Sequence, residues 1–340
     1  MPKSVRDRGA VRQDDPEQVA RRAVEAAIWA PSIHNTQPWW FGRHGARISV
    51  HADVDRRLDV ADADGREMVI SCGAALFTVR TALRHLGYEP HVQLLPDPDR
   101  PSLLAYVTFG DAVGPSEDMT RLYEQIERRR THRGAFRPTQ VPVALLSRLR
   151  DEARWEGALF RVAVDARIRS ALAALTEAAG DVQRLNPNFV AEFARWAPAP
   201  GSRRRDGVHE SAYPREPEHT EPYFPGRDFA RGHGWGAEST AGNAGVTGVV
   251  ALLTTVDDTR KDWLRAGQAL QRILLRAYAE KGLSAAFHTQ ALEVPELREF
   301  VRGRLCGGDH PQMLLRLGVA DTGEPTVRRP AGEVMTGDAA

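Results

Sequence analysis

For a chain of 340 residues there is very little sulfur chemistry available: only two cysteines, Cys72 and Cys306, occur. They lie far apart with no C-x-x-C spacing, which excludes a disulfide framework and a zinc–thiolate site and makes a reducing cytoplasm the expected compartment. Charge of one sign is lacking as well. Lys+Arg 46 against Asp+Glu 45 leaves a formal net charge of +1, so no global field draws the chain to nucleic acid or to an anionic membrane, and an anionic ligand must be met locally. No apolar run approaches the roughly 20 residues that span a bilayer, and the opening MPKSVRDRGAVRQDDPEQ has no apolar signal core. The common nucleotide and hydrolase signatures are absent: no G-x-G-x-x-G behind a strand, no G-x-x-x-x-G-K-[ST], no H-E-x-x-H and no G-x-S-x-G. His209, His219 and His233 are irregularly spaced and read as surface residues, so no metal site is expected. What is present, 42% hydrophobic and 27% charged residues, is ordinary globular usage.

Residues 1–16 are charged and aperiodic and read as a flexible arm. Glu17–Trp29 places Val19, Ala23, Ala26 and Ala27 at helical spacing, and Pro31 stops it. ARISVHADV, HVQLLPD and SLLAYVTFG read as strands, with a helix from Arg66 to Leu86 between the first two and Gly87 as its terminator. A second series starts near Asp118. It contains a helix to about Arg130, a helix Val143–Glu152, the strand LFRVAVD, a helix Arg167–Arg184, the strand VTGVVALLTTVDD, a helix Lys261–Lys281 and the strand MLLRLGVA. This alternation indicates an α/β or α+β protein. The Pro-, Gly-, Arg- and His-rich stretch 186–242 is too long for a simple connection and reads as a lid, an interface arm or a disordered insert. An echo joins the two series: GAALFTVRTALRHLGY from Gly73 resembles GQALQRILLRAYAEKGLS from Gly267, and each is followed by an apolar strand ending in Gly. A duplicated αβ half accounts for it.

Two segments stand out chemically. In Ala30-Pro31-Ser32-Ile33-His34-Asn35-Thr36-Gln37-Pro38-Trp39, short hydrogen-bonding side chains sit between two prolines. Ser32, Asn35 and Gln37 could be preorganised for a polar heterocycle, or could satisfy the backbone of a turn; the residues leave both readings open. In Glu127–Phe136 (ERRRTHRGAF), Arg129, Thr131 and Arg133 alternate, which places them on one face of an extended loop. Guanidinium forks bind phosphate bidentately, so a single phosphate group ranks above a nucleic-acid strand, with a solvated surface as the plain alternative.

Together these segments resemble the FMN-dependent nitroreductase superfamily, whose members carry an R-x-[ST]-x-[RK] run for the flavin phosphate and ribityl chain and a P-S-x-x-N-x-Q-P-W loop beside the flavin. Arg129, Thr131 and Arg133 match the first; Pro31, Ser32, Asn35, Gln37, Pro38 and Trp39 match the second. Gly282–Phe287, with Ser284 and Ala285, looks like the flavin-edge segment, and Arg328-Arg329-Pro330 like the C-terminal basic pair that reaches the phosphate. The order departs from an ordinary member, in which the arginine run comes first in a chain of roughly 200 residues that pairs as a homodimer. Two degenerate halves fused in one chain, as in the Acg-type nitroreductase-like proteins, would rebuild one such site. The resemblance, over about 17–335, implies an α+β nitroreductase fold arranged as a pseudo-dimer, with an N-terminal half 17–115 and a C-terminal half 116–335 carrying the insert as lid. It further implies FMN held by Ser32, Asn35, Gln37, Arg129, Thr131, Arg133, Ser284, Ala285 and Arg328. NAD(P)H would be the electron donor and a small nitro, quinone or other conjugated compound the acceptor. No protein acid or base is required by that chemistry, and none is assigned. A storage role with the flavin covered is the alternative. Gly267, Gln268 and Gln271 lie on the helix that approaches the cofactor in the family, or on an ordinary amphipathic helix. Cys72 reads as a packed core thiol, and the fused chain as a monomer or homodimer with neither nucleic acid nor membrane as partner.

Overall fold

In the computed structural model, residues 15–238, 245–320 and 326–337 are described. Most of the expected N-terminal arm, the last residues of the insert (239–242) and part of the approach to Arg328 lie outside them. The chain is α+β, two sheets that are antiparallel but for one short edge strand, with helices packed between and outside them.

The first half begins with α1 (Pro16–Ala27), one residue earlier than its sequence pattern. Pro16 occupies the first turn, where its missing N–H costs nothing, and the Asp15 carboxylate accepts from Glu17 N. Then come β1 (Trp39–His44) and β2 (Arg47–Ala52), joined through Gly45 at φ +56, a conformation that favours glycine in a two-residue hairpin. The long helix α2 (Arg66–His85) follows, then β3 (Tyr88–Leu94) and β4 (Leu103–Ala112). The tryptophans at 39–40, read as loop, start a strand: Trp39 points into the core while Trp40 stacks on His51 at 3.5 Å. The helix expected to reach Arg130 is short: α3 (Glu117–Tyr123) ends where hydrogen-bonded turns take over to Arg129. Leu122 and Ile126 bury in the first half's core.

The second half runs α4 (Val143–Trp155), β5 (Leu159–Val162), α5 (Ala166–Leu185), α6 (Pro187–Arg195), β6 (Val249–Thr255) and α7 (Arg260–Lys281). It continues with β7 (Leu283–Phe287), α8 (Gln290–Glu293), α9 (Pro295–Leu305) and β8 (His310–Val319). α7 is bounded by a Thr259–Asp262 capping box and by Gly282 at φ +62. The C-terminal segment returns to the first half. There α10 (Ala331–Val334) precedes β9 (Met335–Thr336), which adds in parallel to β1.

Strand order is β3-β4-β2-β1-β9 in one sheet and β5-β6-β8-β7 in the other. Apart from β9 the two orders are the same when each half is counted from its own first strand, with one long helix between second and third strands in both. Those helices cross at corresponding residues. Gly73 is the eighth residue of α2 and Gly267 the eighth of α7. A Cβ on Gly267 would fall 2.0 Å from the Ile70 carbonyl oxygen, and one on Gly73 2.4 Å from that of Leu264. Only glycine permits the approach. In the second sheet the strands alternate faces, Ala251 and Leu253 packing toward α7, Val250 and Leu252 toward α5 and α9.

Candidate functional site

Among the described residues, the loop after α1 has the densest run of positive-φ side-chain-bearing residues. His34, Asn35 and Gln37 all have positive φ (+44, +55 and +49), unusual for residues with side chains and stable only where surroundings hold them. Side chains do so. Ser32 Oγ accepts from Gln37 N at 3.0 Å, and Ser71 Oγ accepts from Ile33 N at 3.2 Å. Asn35 Nδ2 donates to Gly207 O at 2.9 Å and Val327 O at 3.2 Å, and its Oδ1 accepts from Arg328 Nη1 at 3.1 Å. Gln37 Nε2 donates to Arg205 O at 2.8 Å, and its Oε1 accepts from Arg329 N at 2.8 Å. Asn35 and Gln37 are thereby spent on fastening the insert and the C-terminal segment to the loop.

That fastening brings Arg328 to the arginine run. Arg129, Arg130, Arg133 and Arg328 form no ion pair among the described residues. Arg129 Nε and Nη1, Arg130 Nε and Arg328 Nε are buried without a hydrogen-bond partner. Burial, then the charges of Arg130 and Arg133, pushes the Arg129 guanidinium down to about 10. Burial also lowers Arg133 to about 10, and burial with the other three arginines lowers Arg328 to about 9. The Trp29 ring lies 5.8 Å from Arg130 and 5.6 Å from Arg328. Converging, desolvated cations with unsatisfied donors are expensive alone. Their chemistry is that of a site for a multiply charged oxyanion.

Beside this cluster lies a cavity of about 320 Å³, within the usual range for small-ligand sites. Ser32, Thr131 and Arg133 line it. So do the α2 residues Glu67, Ile70 and Ser71, and His288, Thr289, Met313 and Arg316 from the second half. Residues 213–230 of the insert close one wall. They carry a small core of their own, with Tyr213, Phe229 and Ala230 packed on Ala197 and Val208. Anchors pin them: Glu218 Oε2 accepts from Ala135 N, Arg227 pairs with Glu293, and Pro225 O meets His288 Nδ1 at 3.3 Å. Arg316 Nε donates to His288 Nε2 at 2.8 Å, between the rings of Phe136 and Phe224.

The structure thus gathers Ser32, Thr131 and Arg133 at the cavity and Arg129 and Arg328 in the adjoining cluster. Ser284 and Ala285 sit in β7, where Ala285 O accepts from His132 N at 2.8 Å and so orders the arginine loop through its backbone. Gln268 and Gln271 face α2, bonding Arg80 and Thr78. Cys72 is core: its thiol donates to Pro38 O at 3.1 Å, and burial pushes it up. Missed by sequence reasoning are His34, Glu67 and Arg316. His34 is buried against Phe193 and Phe229, both ring nitrogens unpartnered, and burial pushes it well below its ordinary value. Only its place in the PSIHN loop could have signalled it. No group of three His, Cys, Asp or Glu converges as metal ligands among the described residues, and no helix is long and apolar enough to cross a membrane.

No family model matches the chain, but individual relatives do. A Mycobacterium tuberculosis protein provisionally named NAD(P)H nitroreductase Rv3131 is 33% identical over 325 residues, 94% of this chain and 91% of that one. Another from the same organism, provisionally named NAD(P)H nitroreductase acg, is 30% identical over 321 residues, 93% and 95% of the two chains. A Bacteroides fragilis nitroreductase crystallised with bound FMN aligns with 58% of this chain and 87% of its own, at 13% identity and a TM-score of 0.30, too slight a likeness to carry weight. Near full-length identity at this level, together with the P-S-x-x-N-x-Q-P-W loop, places the chain in the nitroreductase family, among its Acg-type members.

Proposed function

We propose that the protein binds FMN and acts as an NAD(P)H-dependent oxidoreductase of nitroreductase type, reducing a nitro, quinone or other conjugated acceptor. The observation that carries the reading is the cluster of Arg129, Arg130, Arg133 and Arg328 at the end of a ligand-sized cavity, with buried N–H groups on Arg129, Arg130 and Arg328 that lack a partner. A flavin mononucleotide supplies what that geometry lacks: a dianionic phosphate for the cluster and a flat body for the cavity. Arg129, Arg130 and Arg328 would hold the phosphate, Thr131 and Arg133 the segment leading from it, and Ser32 the ring end. Asn35 and Gln37 act at one remove. By accepting from Arg328 Nη1 and Arg329 N they fix the C-terminal arginines where the phosphate needs them. When bound, FMN provides hydride and electron transfer between nicotinamide and acceptor. The chain's own task is to bind, to orient and to keep water out behind residues 213–230.

The corresponding strand orders and the Gly73–Gly267 crossing support a pseudo-dimer of two degenerate halves, 17–115 and 116–335, with the insert 186–242 as lid. One site survives because the loop comes from the first half and the arginines from the second. A second reading, FMN held but sequestered, is favoured by the insert's own core and its anchors at Ala135 and Glu293. The visible spectrum of purified protein, followed anaerobically after NADH or NADPH, separates them. Bleaching of the flavin band within seconds is expected for the oxidoreductase; a persistent yellow band transfers the reading to sequestration. Colourless protein that cannot be reconstituted with FMN overturns both.

A further inference from the structure

The reduction proposed above consumes a proton that the nicotinamide does not bring, and a buried carboxyl in the cavity wall is placed to give it. Glu67, in the first turn of α2, is buried, lines the cavity, and belongs to a cluster of three carboxyls and two guanidiniums. The others are Asp62 in the loop before α2, Glu293 at the end of α8, Arg66 and, from the insert, Arg227. Three acids against two fixed cations in a dry setting leave one negative charge unbalanced, so one acid holds a proton.

Hydrogen bonding decides which. Asp62 accepts two backbone N–H groups, from Glu67 at 2.9 Å and Met68 at 2.8 Å. Glu293 accepts from Thr289 Oγ1 at 2.8 Å and Gln183 Nε2 at 2.8 Å as well as from Arg227. Both sets favour a carboxylate. Glu67 accepts from a single donor among the described residues, Arg66 Nη2 at 2.8 Å, and Arg66 also serves the carbonyls of Gln312 and Leu292. Burial and the charges of Glu293 and Asp62 push the Glu67 carboxyl well above the usual range, against Arg66 and Arg227. The wall's histidines do not compete. Burial lowers His34, His132 and His288; His132 Nε2 meets Ala135 O at 2.7 Å, and His288 is fixed between Arg316 and Pro225 O.

We propose that Glu67, carrying a proton, is the acid that protonates the acceptor as it is reduced in this cavity, a role that rests on the flavin-dependent reduction above. With a quinone, the acceptor takes a hydride equivalent from the reduced flavin at one oxygen. Its other oxygen takes the Glu67 proton as the acid O–H bond breaks. The products are a hydroquinone and a Glu67 carboxylate, which water reprotonates once the product leaves. With a nitro compound the same hydride and proton give a nitroso compound and water.

The test compares FMN-loaded, photoreduced wild type and Glu67→Gln, reoxidised anaerobically by menadione and by ferricyanide, which takes electrons without a proton. The expected result is that the ratio of menadione to ferricyanide rates falls about 100-fold in the variant, in the range of a lost general acid. Infrared spectra of the protein without FMN give an independent readout. Wild type at pH 7 should show a protonated-carboxyl band that Glu67→Gln lacks and that titrates away at lower pH in Glu293→Gln. An unchanged rate ratio, or no such band in wild type, overturns the assignment and leaves FMN binding standing. Protein that takes up no FMN overturns the flavin reading and this role together.

Discussion

The two halves share a strand order and differ most in the connection between their first two strands. In the first, β1 and β2 are joined by Gly45 and Ala46; in the second, β5 and β6 are separated by residues 163–248. The short connection leaves the first sheet covered on one face by α1 and α2, with the Trp40–His51 stack on the other. The long one wraps the second sheet, α5 packing behind it and residues 213–230 continuing across to the first half's loop. Two similar frames therefore become unlike parts: one presents a strained loop, the other presents arginines and a wall. On the reading proposed above, that asymmetry is what makes a single site.

What both halves share is the crossing of α2 and α7, and breaking it should cost most. Gly267→Val places a Cβ 2.0 Å from the Ile70 carbonyl oxygen and 2.8 Å from Gly73 Cα, contacts between backbones that no rotamer relieves. A loss above about 4 kcal/mol is expected, read as insoluble expression or collapse of the urea midpoint. Gly303 lies inside α9 with nothing within 4 Å of its missing Cβ. Gly303→Ala should stabilise by about 0.5–1 kcal/mol. If both variants behave alike, the helix crossing is not what holds the halves together.

The contribution that differs between halves is tested at the arginine cluster. Arg328→Met removes one buried guanidinium whose Nε has no partner. The sign should invert between states: FMN affinity falls about 10- to 100-fold, the value of a charged hydrogen bond, while the FMN-free protein melts higher because repulsion from Arg129, Arg130 and Arg133 is relieved. Titration of FMN fluorescence and thermal melts without FMN measure the two. A fall in both would mean that Arg328 is simply a structural strut.

Much of this was legible in the sequence because the residues involved carry local rules. The long helices show 3.6-residue periodicity and end at Gly87 and Gly282, both at positive φ. The arginine triplet and the PSIHNTQPW loop announce themselves by composition. Less legible was the use of each side chain. Asn35 and Gln37 belong to the pattern of a ligand-gripping loop, yet their partners are the carbonyls of Gly207, Val327 and Arg205, some 170 to 290 residues away; long-range pairing leaves no local trace. Trp39 and Trp40 gave no alternation long enough to mark a strand. Glu67 looked like any acid in a first helical turn, where it would favour the dipole. Only burial and its neighbours give it a different character.

The smallest effect contrasts the starts of the two central helices. At α7 the cap is a Thr259–Asp262 capping box, and Thr259→Ala should cost about 1 kcal/mol with little dependence on pH. At α2 the equivalent place is taken by Asp62, raised by burial to about 6, and by Glu67, which burial also raises well above the usual carboxyl range. A carboxyl raised in the fold binds its proton more tightly there than in the unfolded chain. Its stabilising contribution is full below the unfolded value near 4 and is lost as pH rises through the folded value. Wild type should therefore lose stability between pH 4 and neutrality or beyond, and Glu67→Gln should lose less because Asp62 alone then titrates. Melts at pH 5 and pH 8 should show a wild-type fall larger than the variant's by at least about 2 °C. Equal falls would place the Glu67 proton elsewhere in the cluster and would make the two helix starts electrostatically alike.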